Sequence, residues 1–169
     1  SGTLSIDLGF SIEQAHPSTS AGRSLASGDL VTSVRDQNAP EGHRLEPSTL
    51  DTDLRYTYRA DLIRIVDGDT LRVRADLGFG IATRVTVRLR GINAPERKSE
   101  EGEAAKRFVE ESLANIDRLA IRTYWRGRYG RYLADIFYLP GETDAQTIAN
   151  DGTYLNAELV QQGHAIVVE

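Results

Sequence analysis

The sequence predicts an α+β fold, mainly β: a five-stranded β-barrel with two packed helices, preceded by an irregular N-terminal extension. Three observations predict it. From Tyr56 the pattern sharpens into apolar–charged alternation over Thr70–Ala75 and Val85–Arg90; between 103 and 116 that period of two gives way to helical spacing; and two more strand-like stretches then precede a last short apolar helix.

Residues 1–54 are rich in Ser, Gly, Asp and Pro and carry only short apolar bursts, at Leu4–Phe10 and Leu30–Val34. With no sustained period of either kind, they are expected to form the extension, and 55–169 the folded domain. Two fragments of the extension recur downstream, Asn38-Ala39-Pro40-Glu41 at 93–96 and Asp7-Leu8-Gly9-Phe10 at 76–79. The two offsets disagree, which favours chance over a duplication. Ala60, Leu62, Ile63 and Ile65 lead into the turn Asp67-Gly68-Asp69. Leu71 and Val73 then alternate with Arg72 and Arg74, and Val85, Val87 and Leu89 with Thr86, Arg88 and Arg90. These are three strands of an antiparallel sheet. Ala105, Phe108, Val109, Leu113 and Ile116 recur at helical spacing, with Glu, Lys and Arg on the other face, as in an amphipathic helix laid on a sheet. Leu119–Trp125 and Tyr132–Leu139 read as two more strands joined by the turn Gly127-Arg128-Tyr129-Gly130-Arg131. A second helix, Tyr154–Gln162, buries Leu155, Leu159 and Val160 and stops at Gly163, where a left-handed residue is required. Five strands with a helix between the third and fourth is the order of a Greek-key OB barrel, whose surface often binds oligonucleotides. The fold alone assigns no chemistry.

A length of 169 residues suits one domain with an appendage. No apolar run approaches the ~18 residues a membrane helix needs, so no membrane partner is expected. There is no cysteine, which excludes disulfides, thiolate metal sites and thiol catalysis. Any metal must then be held by oxygen or by one of three scattered histidines, which favours a hard cation such as calcium or magnesium. The chain has no methionine and opens Ser1-Gly2, as a processed product or a cloning scar would, so its start says nothing about secretion and localisation stays open. The formal net charge is −5, against the expectation for a nucleic-acid enzyme. The distribution of charge removes the conflict. Before Arg55, three arginines (Arg23, Arg35, Arg44) face eight acids (Asp7, Glu13, Asp29, Asp36, Glu41, Glu46, Asp51, Asp53), and the remainder is balanced at 17 of each. Only Lys98 and Lys106 are lysine there, and arginine is the better fork for phosphate oxygens, although codon bias explains the preference equally well.

Three stretches concentrate charge where strands end: Asp67-Gly68-Asp69-Thr70, then Arg88 to Glu96 closing in Gly-Ile-Asn-Ala-Pro-Glu, then Tyr129-Gly130-Arg131. Each is common alone. In this order and spacing they resemble the signature of the staphylococcal nuclease family, and the resemblance extends through the helix after Glu96 and through Leu155–Gly163, covering about Tyr58 to Val168. It implies a calcium-dependent phosphodiesterase acting on DNA and/or RNA with low sequence preference, breaking the bond to the 5′-oxygen to leave 3′-phosphates. It further implies that Asp69 is a direct calcium ligand, joined by Asn93 and the backbone carbonyl of Ala94. Glu96 would be the general base for the attacking water, and Arg88 and Arg131 would clamp the scissile phosphate. The chemistry asks for such groups independently, since phosphodiester cleavage needs a nucleophilic water, neutralised equatorial oxygens and help to the leaving oxygen. Two permanently charged guanidinium forks suit those oxygens. Arg128 stands where the family often has a basic nucleotide contact, and with Tyr129 is a candidate nucleic-acid-binding residue. Tyr129 and Trp125 either stack on a base or serve as core or edge aromatics.

The plain alternatives are structural. Asp67 reads as a turn cap, Arg88 and Glu96 could form a surface ion pair, and Arg122 and Arg126 read as solvated strand-edge charges. His164 reads as a packing histidine, and His16 and His43 lack ligand spacing. The sequence departs from the family pattern in three places. Asn93 replaces the usual aspartate, which predicts a looser calcium site. The segment from Arg97 to Gly102 is short where the best-known member has a long mobile loop. The chain stops at Glu169, before the family's third helix, and the extension is expected to cover the surface thus exposed. A monomer is expected. The competing function is an OB-fold module that binds nucleic acid or a protein after losing efficient catalysis.

Overall fold

A computed structural model describes residues 3–17, 19–20, 23–39, 42–48, 55–126 and 131–169. The chain divides into two compact units, Ser1–Asp53 with Leu77–Ile81, and Leu54–Asp76 with Ala82–Glu169.

In the first unit, the described residues of the irregular extension form three short antiparallel hairpins. Strands β1 (Thr3–Asp7) and β2 (Glu13–Pro17) pair from Thr3↔Pro17 to Asp7↔Glu13. The two-residue strands β3 (Thr19–Ser20) and β4 (Arg23–Ser24) pair next, then β5 (Val31–Arg35) with β6 (His43–Pro47). Strands of two to five residues offer too few positions for alternation to show, which is why no period is visible there. Its buried side chains include Leu8, Leu25 and Leu45, and Arg44 bridges Glu46 at 2.7 Å and Asp36 at 3.3 Å.

The second unit is the barrel. Its strands β7 (Thr57–Asp67), β8 (Thr70–Gly78) and β9 (Ile81–Leu89) follow one another as a meander. After β10 (Ile92–Asn93) and helix α1 (Glu100–Leu113) come β11 (Leu119–Arg126) and β12 (Tyr132–Tyr138). Helix α2 (Ala145–Asp151), β13 (Thr153–Tyr154), α3 (Leu155–Gln161) and β14 (Ile166–Val167) complete the unit. The strand order is β11-β7-β8-β9-β12, and β11 pairs with β12 as well, so the five strands close into a ring. The β9–β12 pairing is parallel. Closure leaves no open edge among these five strands and gives every wall residue an inside or an outside. Leu71, Val73 and Ala75 of β8, Val87 and Leu89 of β9, Ile121 of β11 and Ile136 of β12 are all at most 1% exposed, and the arginines between them point the other way.

Helix α1 begins at a Ser99 cap whose hydroxyl accepts the Gly102 N–H at 3.0 Å, with Glu100, Glu101 and Glu103 in the first turn, where carboxylates oppose the helix dipole. It buries Gly102, Ala105, Val109 and Leu113. Helix α3 anchors through Leu155 and Leu159 and ends at Gly163, whose φ is 75°. The third helix, α2, leaves no mark in the apolar pattern, because its single buried residue is Ile148. No helix among the described residues is long and apolar enough to cross a membrane.

Candidate active site

The site begins with the turn between β7 and β8. Asp67 and Thr70 are paired across it, and Gly68 between them is required by space: a Cβ there would stand 2.7 Å from the Ala105 Cβ of α1 and 3.0 Å from the Ala94 Cβ. The turn is thereby pressed between the helix and the segment after β10, and Asp69 is carried inward to 4% exposure. A carboxylate buried so far must have its lone pairs met. The Thr70 hydroxyl donates to Oδ1 at 3.0 Å, and the Ala94 N–H donates to Oδ2, also at 3.0 Å. The Arg88 guanidinium makes a two-point contact, Nη2 to Oδ2 at 3.0 Å and Nη1 to Oδ1 at 3.4 Å. Burial pushes the Asp69 carboxyl above the ordinary carboxylate range, while the Ala94 N–H, the Arg88 charge and the Thr70 hydroxyl pull it back. Asp67 plays the capping part, accepting the Asp69 N–H at a long 3.4 Å.

Arg88 lies near the end of β9 with its side chain 29% exposed. Its Nη2 also donates to Oδ1 of Asn93 at 2.6 Å. Two oxygens, one from Asp69 and one from Asn93, therefore converge on a single cationic nitrogen. β10 holds Asn93 in place by pairing with β14, Asn93 opposite Ile166 and Ile92 opposite Val167. A small pocket lined by Asn93, Ala94, Pro95, His164 and Ile166 adjoins this point. The donors here are all oxygen, which suits a hard cation, and the guanidinium shows that positive charge is accommodated between them. Among the described residues no three His, Asp or Glu side chains gather in metal-binding range, so such a site would draw on Asp69 together with amide and backbone oxygens.

Glu96 lies on the exposed turn between β10 and α1. Its backbone is clamped: the carbonyl accepts the Ser99 N–H at 2.9 Å and the Ser99 hydroxyl at 2.7 Å, and the α1 residue Gly102 packs so closely that a Cβ would fall 2.0 Å from that carbonyl oxygen. Arg131 stands directly before β12, one residue ahead of Tyr132, which pairs with Val87, and two ahead of Leu133, which pairs with Arg88. It is thus at the strand end adjoining the strand that bears Arg88. Arg128 and Tyr129 lie outside the described residues. Arg122 donates to the Thr57 hydroxyl at 3.2 Å and lies 5.5 Å over the Phe137 ring, while His164 rests on Phe108 with ring centroids 4.7 Å apart. The second arrangement fits the reading of His164 as a packing histidine, whereas Arg122 is half-buried on a strand paired on both sides and is not a solvated strand-edge charge.

Two supporting residues are not singled out by the sequence. Asp135, in the middle of apolar β12 and 3% exposed, accepts four hydrogen bonds. Arg90 forks onto it at 3.0 and 2.9 Å, the Tyr124 hydroxyl reaches it at 2.7 Å and the Tyr154 hydroxyl at 2.9 Å. Arg90 also lies 4.0 Å over the Tyr124 ring. Burial, with the Asp135 charge behind it, pushes the Tyr154 phenol up to about 12. Asn156, 1% exposed, accepts the Ile136 N–H at 3.1 Å and donates to the carbonyls of Arg90 at 3.0 Å and Ala134 at 3.1 Å. Together they tie α3 and β13 to the parallel β9–β12 pair, the part of the barrel wall that presents Arg88 and starts beside Arg131. A charged residue inside an apolar strand is the signal for Asp135, but its partners come from β11, β13 and the turn after β9.

Residues 86–169 match the family model described as staphylococcal nuclease homologue, a stretch that includes Arg88, Asn93, Ala94, Glu96 and Arg131 and begins after the Asp69 turn. A search of curated proteins finds no match. The segment 86–169 is thus a staphylococcal nuclease homologue region.

Proposed function

We propose that the protein is a calcium-dependent nuclease that hydrolyses phosphodiester bonds of DNA and/or RNA with low sequence specificity. The observation that carries this reading is the convergence of the Asp69 carboxylate, the Asn93 amide oxygen and the Arg88 guanidinium at one half-exposed point of the barrel wall. The family match supplies the reaction class. Asp69, Asn93 and the Ala94 carbonyl would hold calcium, which when bound supplies positive charge toward the phosphate and its attacking water.

The chain's own groups perform the remaining work. Arg88, on β9, and Arg131, just before the neighbouring β12, offer paired N–H donors to the non-bridging phosphate oxygens and so favour the state in which charge accumulates there. Glu96 faces water from a turn whose backbone is clamped by the start of α1, and it takes the proton of the attacking water. Arg128 and Tyr129 would contact the nucleotide beside the cut. A second reading, a nucleic-acid-binding or protein-interaction module with weakened catalysis, is favoured by one observation: with Asn93 in place, no three His, Asp or Glu side chains gather among the described residues.

Incubating the full chain with single-stranded DNA or RNA and calcium separates the two. Cleavage is expected that EDTA abolishes and Glu96→Gln lowers by at least about a hundredfold. Binding without cleavage would establish the module instead, and cleavage indifferent to EDTA or to the substitution would defeat the mechanism.

A further inference from the structure

We infer that Arg88 is a resident counter-cation of the proposed metal site: its Nη2 sits on the two oxygens that a metal ion would need, so calcium enters only as the guanidinium leaves. The inference rests on the calcium reading above and adds a competition that the family match does not contain. Three observations carry it. Nη2 lies 2.6 Å from Asn93 Oδ1 and 3.0 Å from Asp69 Oδ2, so the space between those oxygens is filled by the nitrogen. Calcium takes its oxygens at about 2.3–2.6 Å, so ion and nitrogen cannot share that position. Among the three groups in contact the formal charges cancel, since Asp69 contributes one negative and Arg88 one positive while Asn93 is neutral, and the Asp67 carboxylate next to the turn is the remaining negative charge. An aspartate at position 93 would have added a negative charge beside Arg88; the amide leaves the site one charge weaker toward a further cation.

The arrangement also has a way out. The Arg88 side chain is 29% exposed, its stem is flexible, and the Asp69 carboxylate keeps the Thr70 hydroxyl and Ala94 N–H when the guanidinium departs. The apparent calcium affinity is then the intrinsic affinity multiplied by the fraction of molecules in which Arg88 has swung aside. A phosphate oxygen that draws the same guanidinium outward raises that fraction, so by linkage phosphate and calcium favour each other's binding.

The test is calorimetric titration of the full chain with calcium alone, at one pH and ionic strength, for the wild type and for Arg88→Gln. The variant is expected to bind at least about tenfold more tightly, because a unit charge and an occupying group have both left the site. In the wild type, the Arg88 guanidinium signals, followed by NMR, are expected to move from slow to fast exchange with water as calcium saturates; this arm decides alone if the variant does not fold. Calcium binding to the wild type that Arg88→Gln leaves equal or weaker, or guanidinium signals unchanged at saturation, would overturn the competition and leave the calcium reading standing. No calcium binding by either protein would overturn both.

Discussion

Replacing Asp135 with alanine tests whether the polar network behind the site holds the barrel wall. The substitution removes an acceptor of four hydrogen bonds whose side chain is 5% exposed, and leaves Arg90, Tyr124 and Tyr154 facing an apolar methyl group. Breaking a fully buried ion pair costs roughly 3–5 kcal/mol. The Arg90 side chain, however, is 46% exposed, so its charge recovers much of its hydration. The two phenols lose one charge-assisted bond each, and such losses are not additive within one network. The expected cost is therefore about 2–4 kcal/mol, read as a lower urea midpoint at unchanged slope or a melting temperature about 10 °C lower. Arg90→Ala together with Asp135→Ala should cost less than the sum of the two single changes, because the first removes the charge the second strands. A loss below about 1 kcal/mol for Asp135→Ala would show that water satisfies the three donors and that the network does not bind β9, β12 and β13 together.

Gly102→Ala would drive a Cβ to 2.0 Å from the Glu96 carbonyl oxygen, so the turn carrying Glu96 must move. A displacement on the order of 1 Å should cut the cleavage rate about a hundredfold while unfolding changes by only about 1–3 kcal/mol; equal rates for the two proteins would detach Glu96 from the chemistry. Alkaline pH should destabilise the fold through Tyr154. Its phenol is held up to about 12 in the folded state against about 10 when unfolded, so the unfolded chain gives up the proton first. Stability is then complete below pH 10 and falls as pH rises toward 12. Melting temperatures from pH 9 to 11.5 should decline less steeply in Tyr154→Phe than in the wild type, and parallel declines would contradict the assignment.

The barrel strands, two of the helices and the order of the charged stretches are legible in the letters alone. A closed wall has an inside and an outside, so Leu71 and Val73 must alternate with Arg72 and Arg74, and Val87 and Leu89 with Arg88 and Arg90; that alternation is written in neighbouring residues. The glycine at 68, the cap at Ser99 and the stop at Gly163 are local in the same sense. Helix α2 and the N-terminal hairpins bury too few residues per element to leave a period. Which partners the charges take is settled in three dimensions. Arg88 reaches Asp69 nineteen positions back, the Ala94 N–H closes on a carboxylate twenty-five positions away, and Arg90 crosses forty-five positions to Asp135. Hydrogen bonds and ion pairs act over about 3 Å of space regardless of chain separation. The motifs at 67–70, 88–96 and 129–131 therefore name the charged groups of the proposed site, whereas the placement of a guanidinium on the oxygens proposed for a metal emerges only when β8, β9 and β10 are folded against one another.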